Sequence, residues 1–165
     1  HVEISSVEGH DGFLLETIAV TIQRSRVHKR SFALMFIDLD RFKNINDSLG
    51  HALGDQFLAR IARILERVVG DKGSVSRLGG DEFVILLTGL LNRDDAAIVA
   101  GKILHQFAQP VTLSVGTVQV GASIGIALYP DNGIDSQQML KAADGLMYRA
   151  KQSGKGCYRF SHQGQ

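Results

Sequence analysis

The sequence has a single cysteine, Cys157, so it can form no internal disulfide, and one isolated thiol suits a reducing, cytoplasmic compartment. It also has little charge bias. Eighteen Lys and Arg against 17 Asp and Glu leave a formal net charge of +1, which argues against a domain that binds nucleic acid by bulk electrostatics. No apolar run approaches the roughly 20 residues of a membrane helix, and no signal-peptide pattern is present, so no membrane contact is expected from this segment. Internal repeats, low-complexity tracts and a convincing linker are absent too. What remains is ordinary: 165 residues, 44% hydrophobic and 21% charged, suit one globular domain with a full core. The first residue is His1 rather than Met, which reads as a piece of a longer chain.

The most informative stretch is Ser74 to Leu87, SVSRLGGDEFVILL. Two β-type apolar runs, Val75 to Leu78 and Phe83 to Leu87, flank Gly79-Gly80, a pair suited to a tight hairpin because glycine reaches positive φ without a Cβ clash. Asp81 and Glu82 then put two adjacent carboxylates at the mouth of the hairpin. Neighbouring strand residues point to opposite faces, so the two acids cannot do one job. A bare glycine tip also lets a ligand approach the backbone, where successive N–H groups can cradle phosphate. The alternative is a merely solvated tip.

Around this hairpin the spacing predicts a helix over 11–30, with Leu14, Leu15, Ile18 and Ile22 at helical intervals. Ser31 to Ile37 predicts a strand buried on both faces that delivers Asp38-Leu39-Asp40 to its C-terminal edge. A short helix over 41–49 stops at Gly50, and Gly54-Asp55 opens a longer one to Val69. Asp94 or Asp95 caps a helix to about Gln109, and Val111 to Leu128 reads as two strands joined near Gly116. A last helix runs from Ser136 to Gln152, and Cys157 to Phe160 forms a final strand. The order is that of an α+β, ferredoxin-like fold: a central, mostly antiparallel sheet with helices packed on one face.

In that order Asp38 and the hairpin acids converge at one sheet edge. Convergent carboxylates repel unless something positive lies between them. Mg²⁺ answers this need, being a hard cation that takes carboxylates together with substrate phosphates. Two such ions about 4 Å apart can serve a phosphoryl transfer. Each acid also has a structural alternative: Asp40, or Asp38 with a shifted start, as N-cap of the short helix.

FIDLDRFKNINDSLGHALGD, SRLGGDEF, ASIGIALYP and KAADGLMYRAKQSGKG occur in that order over about Phe32 to Phe160, and together they resemble the GGDEF family of diguanylate cyclases. The resemblance implies a palm-type domain, as in nucleotide cyclases and polymerases. It implies condensation of two GTP into cyclic di-GMP with release of pyrophosphate, using Mg²⁺ or Mn²⁺, two ions per active site. Each GTP would sit in one protomer of an antiparallel dimer, and the partners would be GTP, a second copy of the chain, and flanking sensory or output domains. The domain so implied covers 31–165, with 1–30 as a lead-in.

By motif, Asp38 and the Leu39 carbonyl match metal ligands, and Glu82 matches the second metal carboxylate. Asp81 matches the position that assists the metal and offers a base for the 3′-hydroxyl, while Gly79 and Gly80 form the substrate-facing turn. Asn46 and Asp55 match the pair that reads guanine, a chemically sensible pair because a carboxylate accepts from N1–H and the 2-amino group while a carboxamide donates and accepts. Phe42 and Lys43 match the phosphate loop, and Lys151 and Lys155 match cations reaching the phosphates. Structural alternatives exist here as well: an N-cap for Asp55, a turn residue for Asn46, and helix C-terminal cations for the two lysines.

Two departures from the family pattern stand out. Where members begin with a DxLTGLxNR-type segment, Ser5 to Phe13 reads SSVEGHDGF and retains only Gly9. Where product-restrained members carry RxxD, Gly70 to Gly73 reads GDKG with Arg67 out of register, so no inhibitory site of the usual kind is expected. The competing reading is a GTP-binding regulatory module with little turnover, controlling an attached domain such as a phosphodiesterase.

Overall fold

In a computed structural model that describes Val2–Ile4 and residues 7–161, a six-stranded sheet has the order β1-β3-β4-β2-β7-β8. Its strands are β1 (Val2–Ile4), β2 (Phe32–Asp40), β3 (Gly73–Gly79), β4 (Glu82–Leu87), β7 (Gly121–Tyr129) and β8 (Tyr158–Phe160). The four central strands pair antiparallel, and β1 and β8 add in parallel at the two edges. The helices are α1 (Val7–His28), α2 (Phe42–Leu49), α3 (His51–Val69), α4 (Arg93–Phe107) and α5 (Ser136–Gln152). Strands β5 (Val111–Leu113) and β6 (Gly116–Val118) make a separate small hairpin.

Strand β2 organises both layers, because successive side chains alternate between faces. Ala33, Met35, Ile37 and Leu39 join Phe57, Ile61 and Leu65 of α3 and Val99 and Ile103 of α4 in one core. Phe32, Leu34 and Phe36 join Leu14, Ile18 and Ile22 of α1 and Met139, Ala143 and Met147 of α5 in the other. The expectation of a strand buried on both faces therefore holds. Helices on one face does not: they cover both, and burial of both rows of β2 requires it. Asp38 and Asp40 belong to the α1/α5 side by the same alternation.

Several boundaries differ from those the sequence suggested. Helix α3 begins at His51, so Asp55 lies inside it and is not its cap; Gly50 holds the N-cap position without a side-chain bond. Asn92, not Asp94 or Asp95, caps α4: its side chain accepts from the Asp94 and Asp95 N–H groups, and Asp95 closes the capping box. Val111 to Leu128 holds three strands rather than two, since β5 and β6 pair only with each other and β7 joins the main sheet. The hairpin turn is Gly80-Asp81, while Gly79 belongs to β3 at a register shift opposite Glu82. Part of the atypical lead-in, residues 5 and 6, lies outside the described residues.

Helix α5 crosses β7 at Gly125, where an added Cβ would lie 2.1 Å from the Ala143 carbonyl and 2.2 Å from the Met147 nitrogen. We expect Gly125→Ala to destabilise the fold by roughly 2 kcal/mol or more through overpacking against backbone. The control is Gly101→Ala on the exposed face of α4, where a Cβ meets nothing within 4 Å. That change is expected to be neutral or to stabilise by a few tenths of a kcal/mol or more. Urea denaturation of the two variants checks both; a Gly125→Ala midpoint equal to wild type would refute the close crossing.

Candidate active site

Asp38 is the penultimate acid of β2, and its antiparallel partner on β4 is Glu82. Residues directly opposite each other project to the same face, so the two carboxylates share the α1/α5 side of the sheet. The hairpin turn adds Asp81, whose carbonyl accepts from the Leu39 N–H at 3.1 Å. Arg77 holds the turn from beneath: its Nε and Nη2 donate to the Gly80 carbonyl at 3.1 and 2.9 Å. At Gly80 itself, φ is +51° and an added Cβ would meet nothing within 4 Å, so the tip is open on that side.

Lys151, in the last turn of α5, supplies the compensating charge, with its Nζ 3.0 Å from Asp38 Oδ2. Asp38 Oδ1 is buried without a hydrogen-bond partner. Burial pushes the Asp38 carboxyl up to about 6, with Asp81 adding to the rise and Lys151 opposing it. Burial likewise raises Glu82, helped by Asp81 and by Asp144 of α5. Among the described residues no three Asp, Glu, His or Cys side chains are already gathered in a metal-binding arrangement. An orphaned buried oxygen on Asp38, whose proton affinity burial raises together with that of Glu82, nevertheless fits a divalent cation.

The other sequence-predicted residues divide. Asn46 on α2 places Nδ2 3.2 Å from His51 Nδ1, and its Oδ1 occupies the space a Cβ at Gly54 would need, 2.1 Å away. Gly54 thus lets Asn46 lie beside the residue preceding Asp55, whose own side chain is exposed. Lys43 is exposed, but the Phe42 ring is buried and stacks on Phe57 at 6.2 Å, leaving only its backbone for a ligand. Lys155 is exposed in the turn after α5, at φ +66°. Asp40 caps nothing: Arg41, at φ 60°, holds the N-cap position of α2 with no side-chain bond. Both Asp40 oxygens are engaged, Oδ1 by the Ser123 hydroxyl at 2.7 Å and Oδ2 by the Gly156 N–H at 3.0 Å.

The sequence left three contributions unassigned. Asp144 lies seven residues before Lys151, a spacing that puts both on one stripe of α5 and was readable. The Arg77 clamp is local, reaching Gly80 three residues on, whereas the Asp40–Ser123 bond joins residues that only the folded chain brings together. A cleft of about 670 Å³ opens between the start of α2, the end of α4 and the 154–156 turn, with Arg41 and Lys155 both on its lining. None of Asp38, Glu82, Asn46 and Asp55 lines it.

A carboxyl held near 6 in the folded protein, against an ordinary 3.8, binds its proton more tightly when folded. Its contribution to stability is therefore greatest below about pH 4 and is lost as the pH rises through about 6. We expect Asp38→Asn to melt a few degrees above wild type at pH 8, the gap narrowing as the pH falls to 5. Thermal unfolding at the two pH values checks this, and an Asp38→Asn variant melting below wild type at pH 8 would contradict it.

Comparison with known proteins agrees with the fold. A family model described as "Diguanylate cyclase, GGDEF domain" matches residues 12–157. The chain is 43% identical over 135 residues to the diguanylate cyclase TpbB of Pseudomonas aeruginosa, covering 81% of this chain and 31% of that protein. It is 42% identical over 139 residues to the bifunctional diguanylate cyclase/cyclic di-GMP phosphodiesterase MucR of the same species, covering 84% and 20%. The chain thus spans less than a third of these relatives' length. The crystal structure of the TpbB GGDEF domain superposes with a TM-score of 0.87 at 39% identity, covering 92% of this chain and 94% of that one. With the hairpin, the sheet order and these likenesses in agreement, the chain belongs to the GGDEF domain family of diguanylate cyclases.

Proposed function

We propose that the chain is a working diguanylate cyclase domain that condenses two GTP into cyclic di-GMP, releasing pyrophosphate from each. The observation that carries this reading is the Asp38–Glu82 pair opposed across β2 and β4, with one buried Asp38 oxygen lacking a partner. Asp38, the Leu39 carbonyl and Glu82, assisted by Asp81, would hold Mg²⁺ or Mn²⁺. When bound there, the ions would neutralise phosphate charge and stabilise the attacking and leaving oxygens.

The protein's own residues supply the alignment, which is most of what phosphoryl transfer asks of an enzyme. Asn46 and Asp55 take the guanine edge through complementary donors and acceptors. The hairpin turn, open at Gly80 with Gly79 just before it on β3, admits the sugar and α-phosphate to the strand ends, and the first-turn N–H groups of α2 at Phe42 and Lys43 face the outer phosphates. Lys151 leaves Asp38 for the phosphates as the substrate arrives, joined by Lys155. Asp81 accepts the proton of the attacking 3′-hydroxyl, the new bond forms at the partner's α-phosphorus, and pyrophosphate leaves. Since each protomer holds one nucleotide, the chemistry needs an antiparallel pair of domains.

A second reading draws support from the bifunctional relative: a domain that binds GTP with little turnover and regulates an attached phosphodiesterase. The two are separated by measuring cyclic di-GMP formation from GTP and Mg²⁺ with the chain fused to a dimerising helix. We expect turnover, a loss of roughly 100-fold or more in Glu82→Gln with the fold retained, and a rate rising with the square of protein concentration at low concentration in the unfused chain. Product formation unaffected by Glu82→Gln would remove the metal role of Glu82. Linear concentration dependence would contradict the two-protomer mechanism, and GTP binding without product in the fused chain would favour the regulatory module.

A further inference from the structure

Asp40 is an acid in β2 that neither reading uses, and its surroundings are those of an anchor. The carboxylate is buried, and each oxygen has its own donor, from a different element: the Ser123 hydroxyl on β7 and the Gly156 N–H after α5. The space is closely fitted, since a Cβ at Gly121 would come within 3.0 Å of Asp40 Oδ2. The turn that Asp40 holds is an unusual one. Gly154, Lys155 and Gly156 have φ of 113°, 66° and 60°, three consecutive residues in a backbone region that side chains disfavour. Arg41, next to Asp40, is another non-glycine residue there, at φ 60°. Such conformations persist where the surroundings over-determine them. The two cations they carry, Arg41 and Lys155, line the same cleft of about 670 Å³, as does Asp40.

We propose that Asp40 is a positioning residue for the triphosphate: by tying the 154–156 turn to the end of β2 it fixes Lys155 and Arg41 around the outer phosphates of the substrate. This inference rests on the GTP reading above and assigns Asp40 no contact with the substrate. Its chemistry makes a sharp distinction between two substitutions. Asparagine can keep both anchors: its carbonyl oxygen accepts from Gly156, and its amide donates to the Ser123 oxygen once that hydroxyl rotates from donor to acceptor. Alanine keeps neither. A residue acting through its charge, as a metal ligand or base, would fail in both variants alike.

The test measures the binding of 3′-deoxy-GTP, which lacks the attacking hydroxyl and so does not condense, alongside GMP. In Asp40→Ala we expect the affinity for 3′-deoxy-GTP to fall about tenfold while that for GMP changes less than about twofold. In Asp40→Asn the affinity for 3′-deoxy-GTP is expected to return to within about threefold of wild type. Hydrogen exchange at the Gly156 amide reads the anchor without any nucleotide: faster in Asp40→Ala, near wild type in Asp40→Asn. Equal losses for the two nucleotides, an Asp40→Asn variant as weak as Asp40→Ala, or a Gly156 amide indifferent to Asp40→Ala would each overturn the proposal. A wild type that binds neither nucleotide overturns the GTP reading itself, a result distinct from all three.

Discussion

The pairing register of β2 against β4 is the constraint from which the site follows. It sets Asp38 opposite Glu82 and brings Asp81 next to them through the turn. Like charges directly opposite one another cost stability in a sheet, so the arrangement is not there for the fold's benefit. What holds it is the rest of the strand. Ala33 to Leu39 present one row to α3 and α4, and Phe32 to Phe36 present the other to α1 and α5. A slip of one residue would turn both rows to the wrong core at once. The apolar packing thus fixes the acids in a position that their mutual repulsion opposes.

The same strand end also organises the positive charge. Lys151 answers Asp38 directly, and the turn that follows α5 carries Lys155 back towards β2, where Asp40 receives it. Three acids spaced at alternate or opposite positions are therefore engaged differently: Asp38 and Glu82 oppose each other across β2 and β4, and Asp40 holds Ser123 and Gly156. The raised proton affinity of Asp38 and Glu82 expresses this tension, because burial and neighbouring acids act in the same direction while only Lys151 opposes them. A cation would relieve it.

Much of this was legible in the sequence where a pattern had a single physical reading. The unbroken apolar run before Asp38 forces burial of both strand faces, and the glycine pair between two β-type runs forces a hairpin. Those two facts bring the acids together. Less legible were features decided by tertiary competition. The strand Val2–Ile4 is too short to declare itself and gains its place only by pairing with β3. Asp55 looked like a cap because the helix start at His51 is marked by no side-chain cap, only by Gly50 at φ 87°. Asn92 beat the aspartates two and three residues on as the cap of α4 because Asp95 serves better as its reciprocal partner. Asp40 resembled a cap for the same reason, being an acid just ahead of a helix, until Ser123 and Gly156, 83 and 116 residues away, claimed its oxygens.

Whether the acid pair is a divalent-cation site is the point on which the enzymatic account turns. The most direct measurement is a crystal structure of the chain with a non-condensing GTP analogue and Mn²⁺, located by its anomalous signal. The account expects Mn²⁺ bonded to the Asp38 oxygen that now lacks a partner and to Glu82, with Lys151 drawn away towards the phosphates. Mn²⁺ bound elsewhere, or a nucleotide complex in which Lys151 stays on Asp38 and the acids hold no ion, would contradict it.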